Sequence, residues 1–389
     1  MRKVILAYSG GLDTTCCLRW LQERGFEVIC FSAGLGSEFS PSDLRQRALK
    51  SGARKIYLKD LKAEFASEYI LPVLKAGAVY QNRYVLSTAL SRPLIAKYLV
   101  KIAEQERASF IAHGCSAKGN DQLRIEAGVK LLNPRLKIVA PLREWNLISR
   151  QDEIAYAQEH NLPLKVSGKK IYSIDKNIWG LSVEGGDLED LGKEPPLNSF
   201  VTVRPPALAL SGPKDITLEF RKGIPVKLNG RKRKFVDILK SLNILGARYG
   251  IGRTDLVEDR VVGLKSREVY EAPAAWLLLK AREELDSLVL DKKSRRLKNI
   301  LSNEYAELVY QGFWFSRLRL SLDKFFDSLS EKANGIIKLR LYRGNITVIS
   351  RKARASLYRK EQATYGERDE FPREYAQGFI KLFSRSYSD

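Results

Sequence analysis

Near its start the chain reads Lys3-Val4-Ile5-Leu6-Ala7-Tyr8-Ser9-Gly10-Gly11-Leu12-Asp13-Thr14-Thr15, an apolar run that passes directly into a glycine-rich turn. A short continuous apolar run is typical of a parallel strand that is buried on both faces. Apolar residues at helical spacing follow from Asp13 to Arg24. Glycines let a backbone approach a phosphate closely, and a helix N-terminus offers free N–H groups and a positive dipole end. We therefore predict that this strand–turn–helix unit binds phosphate. It matches neither the Walker P-loop nor the G-x-G-x-x-G motif.

Strands and helices alternate after this turn. Strands are predicted at Glu27 to Ser32, Lys55 to Leu58, Ser109 to Ala112 and Lys137 to Ala140. Helices are predicted at Ser42 to Ser51, Leu61 to Ala76, Leu90 to Glu106, and from a Ser149–Asp152 capping box to about His160. This order predicts an α/β fold with a doubly wound parallel sheet.

The pattern changes to α+β after about Val166. Hairpins are predicted for Asp215 to Phe220 with Val226 to Leu228, and for Ile336 to Tyr342 with Ile346 to Ser350. Helices are predicted at Phe235 to Leu245, Ala274 to Leu290 and Tyr305 to Ser328, with an amphipathic tail at Gly378 to Asp389. The chain thus consists of a parallel α/β part, a second α+β part and a short tail.

Composition limits the class of protein. The chain has 389 residues, enough for two domains, and its 44% hydrophobic and 29% charged residues indicate a soluble globular protein. No apolar run approaches the ~20 residues of a membrane span, and the N-terminal run is too short for a signal peptide. Four cysteines without a C-x-x-C pair predict neither a zinc site nor a disulfide framework. We expect a cytoplasmic protein.

The formal net charge is +22. Such a charge attracts polyanions such as RNA, and it also steers small anionic substrates such as ATP. The basic runs at 231–234 and 292–298 contain few aromatic residues, so they do not form a pattern typical of base stacking. A basic solvated surface is favoured, and nucleic-acid binding stays an alternative.

A second polar motif follows the fourth predicted strand, from His113 to Glu126. It should lie at the carboxyl edge of the sheet, where open α/β folds bind ligands. Asn120 and Asp121 are suited to orient an amine, and Lys118 and Arg124 to hold carboxylates or phosphates. We interpret His113 as a packed, hydrogen-bonded residue.

The glycine-rich turn is similar to the loop of N-type ATP pyrophosphatases, and the whole chain resembles the argininosuccinate synthase family. Further matching motifs are Tyr80 to Thr88, Arg92 to Ala96, Tyr172 to Gly180, Glu184 to Gly186, Gly250 to Asp255, Val257-Glu258, Lys265 to Glu271, Ala306 to Tyr310, Phe313 to Ser316 and Gly378 to Ile380. The resemblance implies a nucleotide-binding domain at 1–165, a synthetase domain at 166–365 and an oligomerisation tail at 366–389.

The resemblance also implies the chemistry. ATP adenylates the ureido oxygen of citrulline, and the amine of aspartate displaces AMP, with Mg²⁺ accompanying the nucleotide. No side chain acts as a nucleophile. Carried over by position, the ATP residues are Ala7, Tyr8, Ser9, Gly10, Gly11, Leu12, Asp13, Thr14, Thr15, Ala33 and Gly114. The citrulline residues are Tyr84, Asn120, Arg124, Ser173, Ser182, Glu258 and Tyr270, and the aspartate residues are Ser116, Asn120 and Asp121. The family usually forms homotetramers.

Several departures from the family pattern lie near these positions. They are Ala33-Gly34-Leu35-Gly36-Ser37, Ser87-Thr88-Ala89, where a hydroxyl is absent at Ala89, and Ser116-Ala117, where a Cβ restricts the backbone if φ is positive. Two alternatives therefore stay open beside a working synthase: a paralogous ligase that adenylates another carbonyl or ureido group, on RNA for example, and a non-catalytic binding module.

Overall fold

The computed structural model describes residues 2–36, 40–164 and 172–387 of the chain. Its first part is a parallel sheet of β1 (Arg2–Ala7), β2 (Phe26–Gly34), β3 (Lys55–Asp60), β4 (Phe110–His113) and β5 (Lys137–Val139), in the order β3-β2-β1-β4-β5. The strand order reverses between β1 and β4, so a crevice opens at their carboxyl ends. The predicted doubly wound sheet is confirmed.

The connecting segments are mostly helical. They are α1 (Leu12–Glu23), α2 (Pro41–Lys50), α3 (Lys62–Glu64, then π-helical over Phe65–Ile70, then Leu71–Ala76), α4 (Ser87–Glu106), α5 (Asp121–Leu132), α6 (Pro141–Glu144) and α7 (Arg150–Glu159). Ser149 accepts a bond from the Asp152 N–H and the Asp152 carboxylate accepts one from Ser149 N–H, as the predicted capping box requires. Because these helices cover the sheet, β1 is buried at its centre.

The second part contains two antiparallel sheets. One has the order β11-β12-β7-β6 and consists of β6 (Ser173–Lys176), β7 (Leu181–Glu184), β11 (Arg253–Asp259) and β12 (Lys265–Glu271). The other has the order β10-β9-β8-β13-β14 and consists of β8 (Lys214–Arg221), β9 (Ile224–Leu228), β10 (Arg231–Lys232), β13 (Gly335–Tyr342) and β14 (Asn345–Ala353). Both predicted hairpins are confirmed in the second of these sheets.

The remaining helices are α8 (Phe235–Arg248), α9 (Pro273–Val289), α10 (Lys292–Tyr310), α11 (Arg317–Ser330), α12 (Lys360–Ala363) and α13 (Glu374–Ser384). The single helix predicted from Tyr305 to Ser328 is wrong, because it is two helices. Gly312 turns the chain with a φ of +86°, and Ser316 caps α11 by accepting a bond from the Arg319 N–H.

The sequence analysis missed the sheet of β6, β7, β11 and β12. Strands β6 and β7 have only four residues each, and their polar positions hide the alternation that marks a half-buried strand. A sheet whose one face carries polar side chains toward a site departs from the usual pattern of an apolar inner face. This sheet supplies one wall of the site described below, with the side chains of Ser173, Asp175, Ser182, Glu184, Glu258, Glu268 and Tyr270.

The two parts share one continuous apolar core, which runs from Ile5 to Leu341. Trp179 is fully buried, and its Nε1–H donates to the Val85 carbonyl at 2.7 Å. The predicted boundary at 165/166 lies outside the described residues, as does the end of the predicted tail at Ser388 and Asp389. In the part of the chain that is described, no helix is long and apolar enough to cross a membrane.

Candidate active site

A cavity of about 1060 Å³ lies between the carboxyl ends of β1 and β4 and one face of the sheet formed by β6, β7, β11 and β12. Most of the residues singled out from the sequence line it: Ala7, Tyr8, Ser9, Asp13, Thr14, Ala33, Tyr84, Gly114, Ser116, Asn120, Asp121, Arg124, Ser173, Ser182, Glu258 and Tyr270. Gly10, Gly11, Leu12 and Thr15 do not line it. The fold thus brings the proposed nucleotide and amino-acid residues to one space.

The glycine-rich turn ends β1 and begins α1. Gly11 is the N-cap of α1, and no side chain caps the first helical N–H groups. Gly10 has a φ of +76°, and a Cβ there would lie 2.4 Å from Leu44 Cδ2. The Ser9 and Thr14 hydroxyls are 3.1 Å apart at the mouth of the turn. Uncapped N–H groups, a positive helix end and two hydroxyls make this turn, named here the anion-binding turn, suited to bind a phosphate.

Two of the predicted nucleotide residues support this turn from within. Leu12 packs against Cys16 and Ala157 in a small apolar cluster. The fully buried Thr15 donates its hydroxyl to the Gly11 carbonyl at 2.7 Å. Because neither residue lines the cavity, their side chains hold the shape of the turn, and only their backbone groups remain to meet a phosphate.

Asp13 stands in the first turn of α1 and faces Glu153 of α7. Burial and the neighbouring Asp13 carboxylate, which also hydrogen-bonds to it, raise the pKa of Glu153 to about 8. Two carboxyl groups this close are not both ionised readily, which explains the direction of the shift in the pKa of Glu153.

His113 ends β4 and is completely buried. Its Nδ1 accepts a bond from the Cys115 N–H at 3.3 Å, and its Nε2 lies 3.0 Å from Glu126 Oε1. Since the Cys115 N–H must donate, Nδ1 is unprotonated and Nε2 carries the hydrogen. Both ring nitrogens are therefore engaged, which confirms the interpretation of His113 as a packed residue.

The segment after β4 places Ser116, Asn120 and Asp121 on the cavity wall. Although burial would raise the pKa of Asp121, Arg92 and Arg124 lower it to about 2. Arg92 Nη2 lies 2.6 Å from Asp121 Oδ2 and also contacts Asp175 of β6. Among the described residues with a positive φ, Ala117 does not appear, so its Cβ causes no backbone strain.

The predicted citrulline residues come mainly from one face of the four-stranded sheet. Side chains two apart on a strand share a face, and Tyr270 pairs directly with Ser182 across β12 and β7. Glu258 is only 2% exposed, and its two oxygens accept from the Tyr270 hydroxyl at 2.6 Å and the Tyr310 hydroxyl at 2.7 Å. A buried carboxylate held by two hydroxyls at the cavity wall is suited to bind an ammonium group.

Arg124 and Tyr84 complete this wall. Arg124 donates through Nε to the Tyr310 carbonyl at 2.8 Å and through Nη1 to Asp121 at 3.0 Å, while its buried Nη2 has no hydrogen-bond partner among the described residues. A buried guanidinium nitrogen without an acceptor fits an incoming carboxylate. The Tyr84 hydroxyl accepts from the N–H groups of Thr88 and Ala89 at 3.0 and 3.1 Å, and Ala89 itself does not line the cavity.

The sequence analysis gave no role to several polar residues that line the cavity or contact its wall: Arg92, Asp175, Glu184, Arg260, Glu268 and Tyr310. Arg260 contacts both Glu184 and Glu268. The spacing of two in Ser182 and Glu184, and again in Glu268 and Tyr270, was the signal for a shared strand face. That signal was not usable while β7 and β12 were not recognised as strands.

The chain was compared with known proteins. Residues 3–163 match a family model described as "Arginosuccinate synthase N-terminal HUP domain", and residues 172–388 match "Arginosuccinate synthase C-terminal domain". The argininosuccinate synthase of Carboxydothermus hydrogenoformans is 48% identical over 382 residues, covering 98% of this chain and 95% of that relative. The one from Caldanaerobacter subterraneus subsp. tengcongensis is 47% identical over 385 residues, covering 99% and 94%.

A solved structure titled as a predicted subunit of tRNA methyltransferase from Methanocaldococcus jannaschii matches 41% of this chain and 75% of that chain, with 13% identity and a TM-score of 0.28. That score is too low to carry an argument about fold or function.

Proposed function

The chain belongs to the argininosuccinate synthase family, and from this premise we propose how its cavity carries out the reaction of that family. The protein is an ATP-dependent carbon–nitrogen ligase of arginine biosynthesis, which joins citrulline to aspartate and releases AMP and PPi. The family matches cover both halves of the chain and nearly all of the relatives' length.

The placement of citrulline rests on one observation: the carboxylate of Glu258 and the guanidinium group of Arg124 line the same cavity. Glu258 is a buried carboxylate with two hydroxyl donors, and Arg124 has a buried nitrogen without a partner. An amino acid needs a carboxylate for its ammonium group and a cation for its own carboxylate. Citrulline bound here, with Tyr84, Asn120, Ser173, Ser182 and Tyr270 around it, would extend its ureido group toward the glycine-rich turn.

We further propose that aspartate binds at Ser116, Asn120 and Asp121. Asp121 stays ionised because Arg92 and Arg124 lower its pKa, so it can pair with an ammonium group. The Asn120 Nδ2–H donates to the Tyr310 hydroxyl at 2.8 Å, and its Oδ1 accepts from the Val261 N–H at 2.9 Å. Asn120 is thereby locked in one orientation between the two substrate positions. Catalysis is positioning, since the amine attacks the activated carbon directly.

ATP is held at residues 7–15, with Ala33 and Gly114 bordering the adenosine. The uncapped N-terminus of α1 and the positive φ of Gly10 support this placement. Among the described residues no group of three or more His, Cys, Asp or Glu side chains is placed to hold a metal. Mg²⁺ commonly needs only one or two carboxylates beside substrate phosphates, and Asp13 fits that role. Mg²⁺ would neutralise charge on the phosphates.

One assay tests the function. The pure protein is incubated with ATP and Mg²⁺, and PPi is measured with citrulline, with aspartate, with both, or with RNA. We expect sustained PPi release and argininosuccinate only when both amino acids are present. Release that depends on RNA and not on citrulline, or ATP binding without any release, would contradict the proposal.

A Gly10→Ala variant tests the turn. Gly10 and Gly25 have nearly the same φ, +76° and +75°, but a Cβ meets Leu44 at 2.4 Å only in the first case, and nothing lies within 4 Å in the second. Both variants incur the strain of ~1 kcal/mol of a side chain at positive φ. We expect Gly10→Ala to lower kcat/KM for ATP by about tenfold relative to Gly25→Ala, by displacing the turn. Equal ATP kinetics in the two variants would count against the turn as the phosphate site.

We propose the domain organisation of the family, with a nucleotide-binding domain at 1–165, a synthetase domain at 166–365 and an oligomerisation tail at 366–389. We also propose that the protein is a homotetramer in the cytoplasm. No side chain of α13 is buried, and its large apolar residues Phe379, Ile380, Leu382 and Phe383 are 59–73% exposed. An apolar face of this kind needs a cover, which a neighbouring copy would provide. The cysteines are free, as is typical of a reducing compartment. Sedimentation equilibrium of the full chain should give four copies, and a monomer would refute the assembly.

A further inference from the structure

Three carboxylates share one face of the sheet at the cavity wall: Glu184 on β7, Glu268 on β12 and Glu258 on β11. Glu184 and Glu268 are direct partners across the two strands, where like charges repel. Arg260 contacts both of them, with its Nη2 3.2 Å from Glu268 Oε1. One guanidinium group does not balance the charge of three ionised carboxylates that lie on one face of the sheet.

Counting hydrogens locates where a proton is needed. The Tyr270 hydroxyl lies 2.6 Å from Glu258 Oε2 and 2.8 Å from Glu268 Oε2, but it has a single hydrogen to donate. If both carboxylates were ionised, one oxygen would face only the lone pairs of the tyrosine. A proton on Glu268 Oε2 satisfies every contact, because Glu268 then donates to Tyr270 and Tyr270 donates to Glu258.

The hydrogen bonds continue from Glu258 along the cavity wall. Glu258 accepts from Tyr270 on one oxygen and from Tyr310 on the other, and Tyr310 in turn accepts from Asn120 Nδ2. Both oxygens of Glu258 accept in this arrangement, and Glu268, whose other oxygen accepts from Arg260, is the member of the pair to which we assign the proton.

We propose that Glu268 is a neutral carboxylic acid in the enzyme free of amino acid, and that it releases its proton when the ammonium group of citrulline binds beside Glu258. The proposal rests on the proposed function, since it takes citrulline as the ligand of this wall. On binding, the Glu268 O–H bond breaks, the proton passes to solvent, and an ammonium N–H takes its place as donor. Glu268 is thus a positioning residue that keeps the Tyr270 hydroxyl hydrogen-bonded to both carboxyl groups while no amino acid is bound.

The surroundings of Glu268 favour this state. Its side chain is buried, and burial together with the charges of Glu258 and Glu184 raises its pKa to about 8, while Tyr270 and Arg260 act in the opposite direction. The pKa of Glu184 is raised as well, mainly by burial. The charged and titratable groups that face the cluster from the packed elements are Glu184, Glu258, Arg260, Tyr270, Tyr84, Tyr310, Asp121 and Arg124.

The sign of the pH effect follows from this pKa. Below about pH 8 the free enzyme holds the proton and must lose it to bind citrulline, so binding is weakened as pH falls. Above that pH the carboxylate is already ionised and the affinity levels off. For one proton the affinity for citrulline should rise by about 25-fold from pH 6.5 to pH 8.5.

Two measurements on the full-length enzyme test the proposal. Infrared difference spectra between wild type and Glu268→Gln should show a protonated carboxyl C=O band at pH 6.5 that disappears by pH 9.5, without any ligand. Calorimetry of citrulline binding in buffers of different ionisation enthalpy should show release of nearly one proton at pH 6.5. Glu268→Gln keeps a donor for Tyr270 and an acceptor for Arg260, so it should fold normally and bind citrulline with an affinity that varies less than about twofold over this range.

Glu283→Gln on the exposed side of α9 is the matched control and should behave like wild type, with proton release and pH dependence intact. No carboxyl band in the difference spectrum, or citrulline binding without proton release, would overturn the role of Glu268. A wild type that shows the band but binds no citrulline at any pH would instead overturn the proposed substrate of this wall, and with it the coupling between binding and proton release.

Discussion

Replacing Glu258 by Gln should lower kcat/KM for citrulline by about 100-fold, the largest effect on activity that we expect from one side chain. Glu258 is 2% exposed and is the only one of the three clustered carboxylates that receives two hydroxyl donors. The amide removes the charge that faces the ammonium group and turns N–H groups toward a tyrosine hydroxyl. Removing one partner of a buried, hydrogen-bonded charge pair costs about 3 kcal/mol, which corresponds to about 100-fold.

The measurement is steady-state argininosuccinate formation with citrulline varied at saturating ATP and aspartate. Because the anion-binding turn lies on the opposite side of the cavity, KM for ATP should change less than about threefold in Glu258→Gln. The same substitution at Glu283, an exposed residue of α9, should leave kcat/KM for all three substrates unchanged. A Glu258→Gln enzyme with unchanged citrulline kinetics would remove the basis for placing the ammonium group at this wall.

Replacing Asp286 by Ala should lower the free energy of unfolding by about 3–5 kcal/mol, the largest effect on stability that we expect. Asp286 lies 3% exposed in α9, with Oδ1 2.9 Å from Arg282 Nε and Oδ2 3.1 Å from Lys298 Nζ of α10. Arg282 also donates to Ser330 of α11, and Lys298 donates to the Ala76 carbonyl at the end of α3. Without Asp286 two buried cations would face each other with no anion between them.

A urea titration followed by tryptophan fluorescence measures this loss. Asp327→Ala is the matched control, because Asp327 also pairs with a lysine, Lys75, at 2.7 Å and also links α11 to α3, but is 59% exposed. Exposed pairs contribute about 0–1 kcal/mol, so this variant should unfold nearly as wild type does. Equal free energies of unfolding for the two aspartate variants would show that the buried ion cluster does not stabilise the packing of these four helices.

Much of the nucleotide half could be predicted from the sequence. The apolar run before Tyr8, the two glycines and the Ser149–Asp152 capping box are all local signals, and each one depends on residues within about five positions. The structure has a strand, an uncapped helix end and a capping box at these places. The resemblance to a family then supplied the positions of the amino-acid residues, which the structure brings to the same cavity.

The cluster of three carboxylates at the cavity wall could not be predicted from local sequence signals. Its contacts join Glu258 to Tyr310, Arg260 to Glu184, and Asn120 to Tyr310, over separations of 52, 76 and 190 residues. Of the four strands that carry or border it, two have only four residues and two have seven, and all of them carry polar side chains on one face, so no apolar inner face identified them.

The sequence by itself therefore determined the parallel sheet and the glycine-rich turn, because helix and strand periodicity and turn chemistry act between near neighbours along the chain, and its ordered motifs identified the family. Only the tertiary structure decided which carboxylates share one wall, which tyrosine hydroxyl lies between two of them and which arginine nitrogen is left without an acceptor among the described residues. Those properties depend on burial and on charges contributed by strands and helices that are distant in sequence. The lower dielectric around buried groups makes each of these contacts stronger than it would be in water.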